Sequence, residues 1–411
     1  GAILSGVTRH IFEKDIRDIF RMWNSQLKTI IPILPKRYTK ENVIDLLKKY
    51  YPHEWESVKI KYDYYTIKDR HINKHKKRTR YNMQNPTSLI KNASLFKKIT
   101  NKDYQEQHYK KYDEIYKQKM ENQLWNKRFP KIDRINKKIN KALLKTQQMY
   151  PSFLDKLIGF YERKNTSQND RMYILIELKK YYSNKTIQFF FKLNDTELNR
   201  QLRENAFYHL QSFNYQPRLR RQKYMQIHTK NKKRKEFLKN YANECCQIEG
   251  TPQELEYRIN NAKEQKIKEY DFFISHSYLD SEEIQKLITY ENENNKNVFC
   301  DWICDNDYLK RKLLCEETLK VLEKRMEQSK EMIFVESDNS KKSRWCKYEL
   351  NYFYNLKKPI YTIPKYFIQS GNFKIKKMDD LWFIEENFNL LNYRKSLLLN
   401  SCNCQVKTFT Q

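Results

Sequence analysis

The sequence predicts a chain in two parts, a mostly helical basic region followed by a doubly wound parallel α/β domain. Three observations predict it. Of the 411 residues, positions 1–240 carry 55 Lys+Arg against 23 Asp+Glu, a net of +32, whereas 241–411 carry 26 against 27, a net of −1. All eight cysteines, from Cys245 to Cys404, lie in the second part. The hydrophobic period also changes near Glu269, from steps of three and four to short apolar runs that alternate with helical stretches. The expected organisation is a basic helical region over 1–240, a linker and connecting helix over 241–267, and the α/β domain over 268–411.

In the first part, apolar stretches near 11–23, 42–50, 153–161 and 172–182 have helical spacing. Tyr109, Tyr112, Tyr116, Met120 and Leu124 lay out one face of a long helix. Pro130 is expected to end it, and Ile132, Ile135, Ile139 and Leu143 to begin the second arm of a helical hairpin. Leu198, Leu202, Ala206, Leu210 and Phe213 form another stripe, with Asp195 or Thr196 as its N-cap. Thr251-Pro252-Gln253-Glu254 reads as a capping box opening a helix over 252–267.

Two basic runs interrupt these helices. The first contains Lys74, Lys76, Lys77, Arg78 and Arg80, with Tyr64, Tyr65 and Tyr81 beside it. The second contains Arg218, Arg220, Arg221, Lys232, Lys233 and Arg234. Cations neutralise phosphates and release counterions, and a nearby aromatic ring stacks on an unpaired base. A polyanionic partner, nucleic acid or a regulatory protein, is therefore expected at the basic region. The bland alternative is a solvated, self-repelling surface.

In the second part, Tyr270–Ser275, 297–300, 331–335 and 359–363 read as strands one to four, and 381–384 as a fifth. The intervening helices are expected over 280–293, 309–328 and 345–356. Ligands of such sheets sit beyond the carboxyl ends of the strands. There the sequence places Ser275-His276-Ser277, then Asp301, Asp305 and Asp307, then Ser337-Asp338-Asn339-Ser340 leading to Trp345 and Glu349.

Composition removes several function classes. With only five glycines, at 1, 6, 159, 250 and 371, neither G-x-G-x-x-G nor G-x-x-x-x-G-K-[ST] can be written, which excludes a P-loop or a glycine-rich dinucleotide fingerprint. No apolar run reaches the ~18 residues of a membrane span. The cysteines form no C-x-x-C, and no histidine cluster lies near Cys300 or Cys304 in sequence, so no metal is expected. Reduced thiols and the lack of an apolar leader point to the cytoplasm.

Three segments carry a family resemblance. Asp271-Phe-Phe-Ile-Ser-His-Ser-Tyr-Leu-Asp280 resembles the first box of a Toll/interleukin-1 receptor (TIR) domain. Asn297-Val-Phe-Cys-Asp-Trp302 is similar to its second strand and the start of its BB loop. Ser343-Arg-Trp-Cys-Lys-Tyr-Glu349 resembles the Ser-x-Trp-Cys-x-x-Glu segment of its third helix. The resemblance spans about 268–390, is nearer to bacterial TIR proteins than to animal receptors, and implies a flavodoxin-like fold. It further implies cleavage of NAD+ as a substrate, with no retained cofactor, in an immune effector that works by self-association of TIR domains. On that resemblance Glu349 is the catalytic carboxylate. Phe273, Ser275, His276 and Ser277 would line the nicotinamide-ribose side, Asp301, Trp302 and Asp305 the BB-loop side, and Trp345 would pack near the glutamate. Some TIR domains serve only as scaffolds, and a non-catalytic assembly module is the competing expectation.

Overall fold

The computed structural model describes residues 6–308 and 315–402. Its chain divides into two compact units. One comprises 1–141, 190–196 and 203–226; the other comprises 142–189, 197–202 and 227–411. Segments 142–189 and 197–202 of the basic region thus belong to the unit that holds the sheet.

The first unit is helical. Its main helices are Gly6–Ile30, Lys40–Tyr50, Pro52–Lys76 and most of Glu114–Leu143. Thr39 and Asn42 close a reciprocal capping box on the second of these. Trp23, Leu27, Ile30, Val43, Leu47, Tyr50 and Phe96 are fully buried and supply the apolar centre. Two tyrosine–carboxylate bonds cross that centre: Tyr64 donates to Asp195 at 2.7 Å and Tyr65 to Asp15 at 2.5 Å. Buried hydroxyls need such partners, since an unmade hydrogen bond costs about 1–3 kcal/mol.

Two expectations here are corrected. Pro130 does not end a helix; Glu114–Leu143 runs through it as one 30-residue helix. The proline and Asn126, whose carbonyl loses its donor, are both exposed, so that carbonyl is open to solvent. The break comes earlier, at Tyr112, after the separate helix Lys102–Lys111. Nor do Asp195 and Thr196 cap the next helix, because Asn184–Thr196 is itself helical. Asn199 is the cap, its Oδ1 accepting from the Leu202 N–H at 2.9 Å.

The second unit is built on a five-stranded sheet in the order β2-β1-β3-β4-β5. The strands are β1 (Tyr270–Ser275), β2 (Val298–Phe299), β3 (Ser329–Glu336), β4 (Ile360–Pro364) and β5 (Lys376–Lys377). The first four are parallel, and β5 is antiparallel to β4. This is the flavodoxin-like order. Both faces are covered. On β3, Met332 and Phe334 enter one apolar cluster with Leu322, Met326, Leu350 and Phe353. Ile333 and Val335 enter the other with Ile284, Leu287, Ile288 and Ile368. Burial on both sides is why the strands read as unbroken apolar runs.

The expected fifth strand at 381–384 is not a strand; β5 lies at 376–377. Phe383 and Trp382 pack on the core instead, while Leu381 and Ile384 are exposed. Phe383 is fully buried, and its carbonyl accepts from Asn351 at 3.1 Å. The helix expected over 309–328 is Glu316–Glu327, with 309–314 outside the described residues. The connecting helix begins at Pro252 with Thr251 accepting from the Glu254 N–H, as the motif predicts. The reciprocal half differs, since the Glu254 carboxylate accepts from the Glu249 N–H. The helix ends at Asn261, and a short turn, Lys263–Lys266, follows.

The free edge of β2 is closed by one side chain. The Gln147 amide accepts from the Val298 N–H at 3.0 Å and donates to the Val298 carbonyl at 2.7 Å. An amide that offers both groups replaces a strand partner for one residue, and it shields an edge that would otherwise pair with another chain.

Candidate active site

The carboxyl ends of β1 and β2 meet the helix Arg344–Asn355. That helix starts at Ser343, whose Oγ accepts from the Cys346 N–H at 3.2 Å. This start turns Cys346, Glu349, Leu350 and Phe353 inward, all at helical spacing. Glu349 is 7% exposed, the only charged residue in that buried stripe. Ser275, the last residue of β1 and fully buried, donates its Oγ–H to Glu349 Oε1 at 2.9 Å. The bond ties the carboxylate to the sheet and fixes which way it faces.

His276 follows at once. Its Nδ1 lies 3.2 Å from the Ile274 carbonyl oxygen. Trp302 stands edge-on to the imidazole, with ring centroids 5.0 Å apart at 87°. Asp301 and Trp302 open the short helix Asp301–Cys304 after β2, and Asp301 Oδ1 accepts from the Trp302 N–H at 3.0 Å. Cys300 lies beneath them, buried. Burial pushes its thiol well above the ordinary range, with the charges of Asp301 and Glu349 acting in the same direction. The structure thus gathers Ser275, His276, Asp301, Trp302 and Glu349 around the ends of two strands.

The remaining expected residues are placed as follows. Phe273 is a core ring, 1% exposed and stacked on Phe299 with centroids 5.1 Å apart. Asp305 is fully buried and holds Arg325 by two bonds, at 3.0 and 3.1 Å. Arg325, also fully buried, donates to Gln265 and Gln328 as well. Ser277 caps the turn Tyr278–Asp280. Trp345 is half-buried against two apolar clusters.

One cluster at this end of the sheet is not foreseen by sequence. Asp280, fully buried, accepts from Ser337 at 2.5 Å, Asn339 at 3.2 Å and Lys365 at 3.0 Å. Burial raises its carboxyl, but these donors outweigh that and hold it below the ordinary value. The network joins the ends of β1, β3 and β4, and so frames the site without entering it. The signal for it was the aspartate closing the first motif, together with the polar residues after β3.

The basic residues fall into two groups. Lys74, Lys76, Lys77 and Arg78 are exposed around the end of Pro52–Lys76, where Lys77 adopts φ 52°. Asp69 accepts from the N–H groups of Arg80, Tyr81 and Asn82, which folds the run back onto its own helix. Tyr64, Tyr65 and Tyr81 are buried, so they are not the stacking platforms their position in sequence suggested. Arg218 pairs with Asp18, and Arg220 with Asp195 at 3.2 Å. Arg221, Lys232 and Lys233 are exposed, and Arg234 lies over the Phe237 ring. Among the described residues, no helix is long and apolar enough to cross a membrane.

Comparison with known proteins adds the following. The family model described as "Thoeris protein ThsB, TIR-like domain" matches residues 273–365. A protein of Cytobacillus dafuensis, named "Putative cyclic ADP-D-ribose synthase TIR2", is 36% identical over 360 residues, 88% of this chain and 92% of the relative. A Bacillus cereus protein, named "Probable 3' cyclic ADP-D-ribose synthase ThsB'", is 37% identical over 110 residues, 27% of this chain and 55% of the relative. Mouse Toll-like receptor 2 is 32% identical over 83 residues, 20% of this chain and 10% of the receptor. No solved structure matches.

Proposed function

The chain belongs to the TIR-domain family of bacterial immune proteins, and on that premise we propose that it cleaves the nicotinamide–ribose bond of NAD+ and closes the ADP-ribosyl product into a ring. It is an NAD+-processing enzyme of the class that both bacterial relatives name. The observation that carries the reading is the buried Ser275–Glu349 pair at the carboxyl end of β1. In a flavodoxin-like sheet this is where a nucleotide sits, beside the β1/β3 switch point.

The chemistry suits a single carboxylate. Nicotinamide leaves as a neutral ring from a cationic pyridinium and takes the bonding pair with it, so no proton donor is needed. The ribose carbon becomes oxocarbenium-like, as in glycoside cleavage. Glu349, held by Ser275 and largely removed from water, offsets that charge as it develops. A nucleophile of the same ADP-ribosyl group then adds to the carbon and gives up its proton, or water adds and the product is linear. His276 and Trp302 supply polar and aromatic surface beside the ring.

The test is to incubate the purified chain with NAD+ and follow nicotinamide and ADP-ribose products by chromatography. Cleavage lost in Glu349→Gln supports the reading. Equal cleavage by the two proteins, or none by a fully assembled sample, defeats it.

For the basic region the reading is a polyanion-binding surface that controls assembly of TIR domains in an antiphage effector of the cytoplasm. Exposed Lys74, Lys76, Lys77 and Arg78 support it. So does the first turn of Lys232–Asn243, which has cations and no acidic residue. Cations at a helix N-terminus oppose its dipole, at about 0.3–1 kcal/mol each, and folding alone does not favour them.

A further inference from the structure

Three side chains beside the Ser275–Glu349 pair form a set that catalysis by a carboxylate does not require. One ligand atom from each of His276, Cys300 and Asp301 lies within 4.8 Å of the others. They come from two strand ends, His276 one residue past β1 and Cys300-Asp301 immediately past β2. Parallel pairing of Phe273 with Phe299 sets the two ends level. The cysteine is buried, while the histidine and aspartate are half-exposed, so the set opens toward solvent on one side.

We propose that His276, Cys300 and Asp301 bind a thiophilic divalent cation such as Zn2+, and that the bound ion blocks NAD+ cleavage. A sulfur, a nitrogen and a carboxylate oxygen are the donor types such an ion takes, and three protein ligands leave one position for water. In a tetrahedral zinc site, bond lengths of about 2.0–2.3 Å put ligand atoms about 3.3–3.6 Å apart. The present separations, up to 4.8 Å, would have to shorten by about 1–1.5 Å to reach those values. One nitrogen of the histidine is held by the backbone. With Nδ1–H donating to the Ile274 carbonyl, Nε2 carries the lone pair, and the edge of Trp302 fixes the ring. A backbone carbonyl on the far nitrogen is the usual support of a metal-binding imidazole.

Blockage rests on the reading of Glu349 as the catalytic carboxylate. A divalent cation bound one residue from Ser275 would compete for the negative field that the pyridinium and the oxocarbenium need. It would also hold His276 and Asp301, two residues expected to face the substrate. The set leaves no trace in the sequence, because its histidine and cysteine are 24 positions apart and match no zinc spacing.

The experiment uses the full chain, stripped with chelator and titrated with Co2+. Binding by a thiolate produces a charge-transfer band in the near ultraviolet. The expected result is a band that saturates at one ion per chain, is displaced by Zn2+, and is lost in both Cys300→Ser and Cys300→Ala. Affinity should fall by more than ~100-fold, beyond what loss of an outer-shell partner costs. Asp301→Asn should retain the band with weaker affinity. Zn2+ should inhibit nicotinamide release by the parent chain and not by Cys300→Ser. Circular dichroism checks that each variant is folded. No band, or a band that persists in the folded cysteine variants, overturns the site. A Cys300-dependent band with unchanged cleavage overturns the blockage. If the chain releases no nicotinamide under any condition, the NAD+ reading falls, while the absorption band still decides the metal site.

Discussion

Ser275 and Glu349 are 74 residues apart in sequence and share a 2.9 Å hydrogen bond. One ends β1 and the other lies in the second turn of the helix Arg344–Asn355, so the bond exists only in the folded domain. It separates two roles that mutation can tell apart. Glu349→Gln removes the charge and keeps the shape; kcat should fall at least ~10³-fold, the scale of losing a main electrostatic stabiliser. Ser275→Ala leaves the charge and loses its orientation, a deficit of about 1 kcal/mol and a several-fold lower kcat. Product chromatography at saturating NAD+ distinguishes them, and equal losses would show that the serine does more than orient.

The fold of the segment that carries Glu349 was legible because its residues lie in one short run with helical spacing. Ser343, Trp345 and Glu349 occupy one helical start, and the serine cap sets the phase that turns the glutamate inward. The side chains at strand ends were less legible. Phe273 and Ser275 lie in one motif, yet Phe273 is packed on Phe299 while Ser275 meets the glutamate; sequence does not record that division. Asp305 lies in an acidic stretch that looks like a ligand wall. Its partner Arg325 is 20 positions on, in a helix legible only as amphipathic. Pro130 misled for a related reason: the carbonyl it strands, on Asn126, is exposed, and the long helix continues through the proline.

The Asp305–Arg325 pair leads to a prediction about stability rather than turnover. Both side chains are fully buried, so Asp305→Ala leaves a guanidinium without its counter-charge. Removing one partner of a buried pair costs on the order of 3–5 kcal/mol. Urea unfolding should show that loss, while KM for NAD+ of the folded fraction stays unchanged. A raised KM at unchanged stability would instead return Asp305 to the substrate wall.

Glu291 predicts a pH dependence. Burial raises its carboxyl from 4.5 to about 7, with Lys296 opposing and Asp271 adding to the rise. A group whose folded value lies above its unfolded value holds its proton more tightly in the native state. Its contribution is therefore complete below pH 4.5 and is lost as pH rises through 7, on the order of 3 kcal/mol. Glu291→Gln should be relatively more stable at pH 8 than the parent chain, and the difference should shrink toward pH 4.5. Urea midpoints across that range measure it, and a parallel offset at every pH would contradict it.

The first basic run yields a prediction about the proposed polyanion-binding surface. Lys74, Lys76, Lys77 and Arg78 are exposed, whereas Arg218 and Arg220 are engaged with Asp18 and Asp195. If the surface binds nucleic acid, the exposed cations neutralise the phosphates and the paired ones mainly hold the fold. Removing one cation from a phosphate flattens the slope of log K against log salt by about 0.9 for duplex DNA. Reversing all four exposed cations to glutamate should flatten the slope by about 3–4 and weaken binding at every salt concentration. Arg220→Gln should instead lower stability, because it leaves the buried Asp195 with Tyr64 as its partner and one cation fewer. Because Tyr64, Tyr65 and Tyr81 are buried, single strands should gain no stacking advantage over duplex at this run. Fluorescence anisotropy with labelled duplex and single-stranded oligonucleotides reads the binding outcomes, and urea unfolding reads the stability of Arg220→Gln. Unchanged binding in the fourfold reversal would remove nucleic acid from this surface.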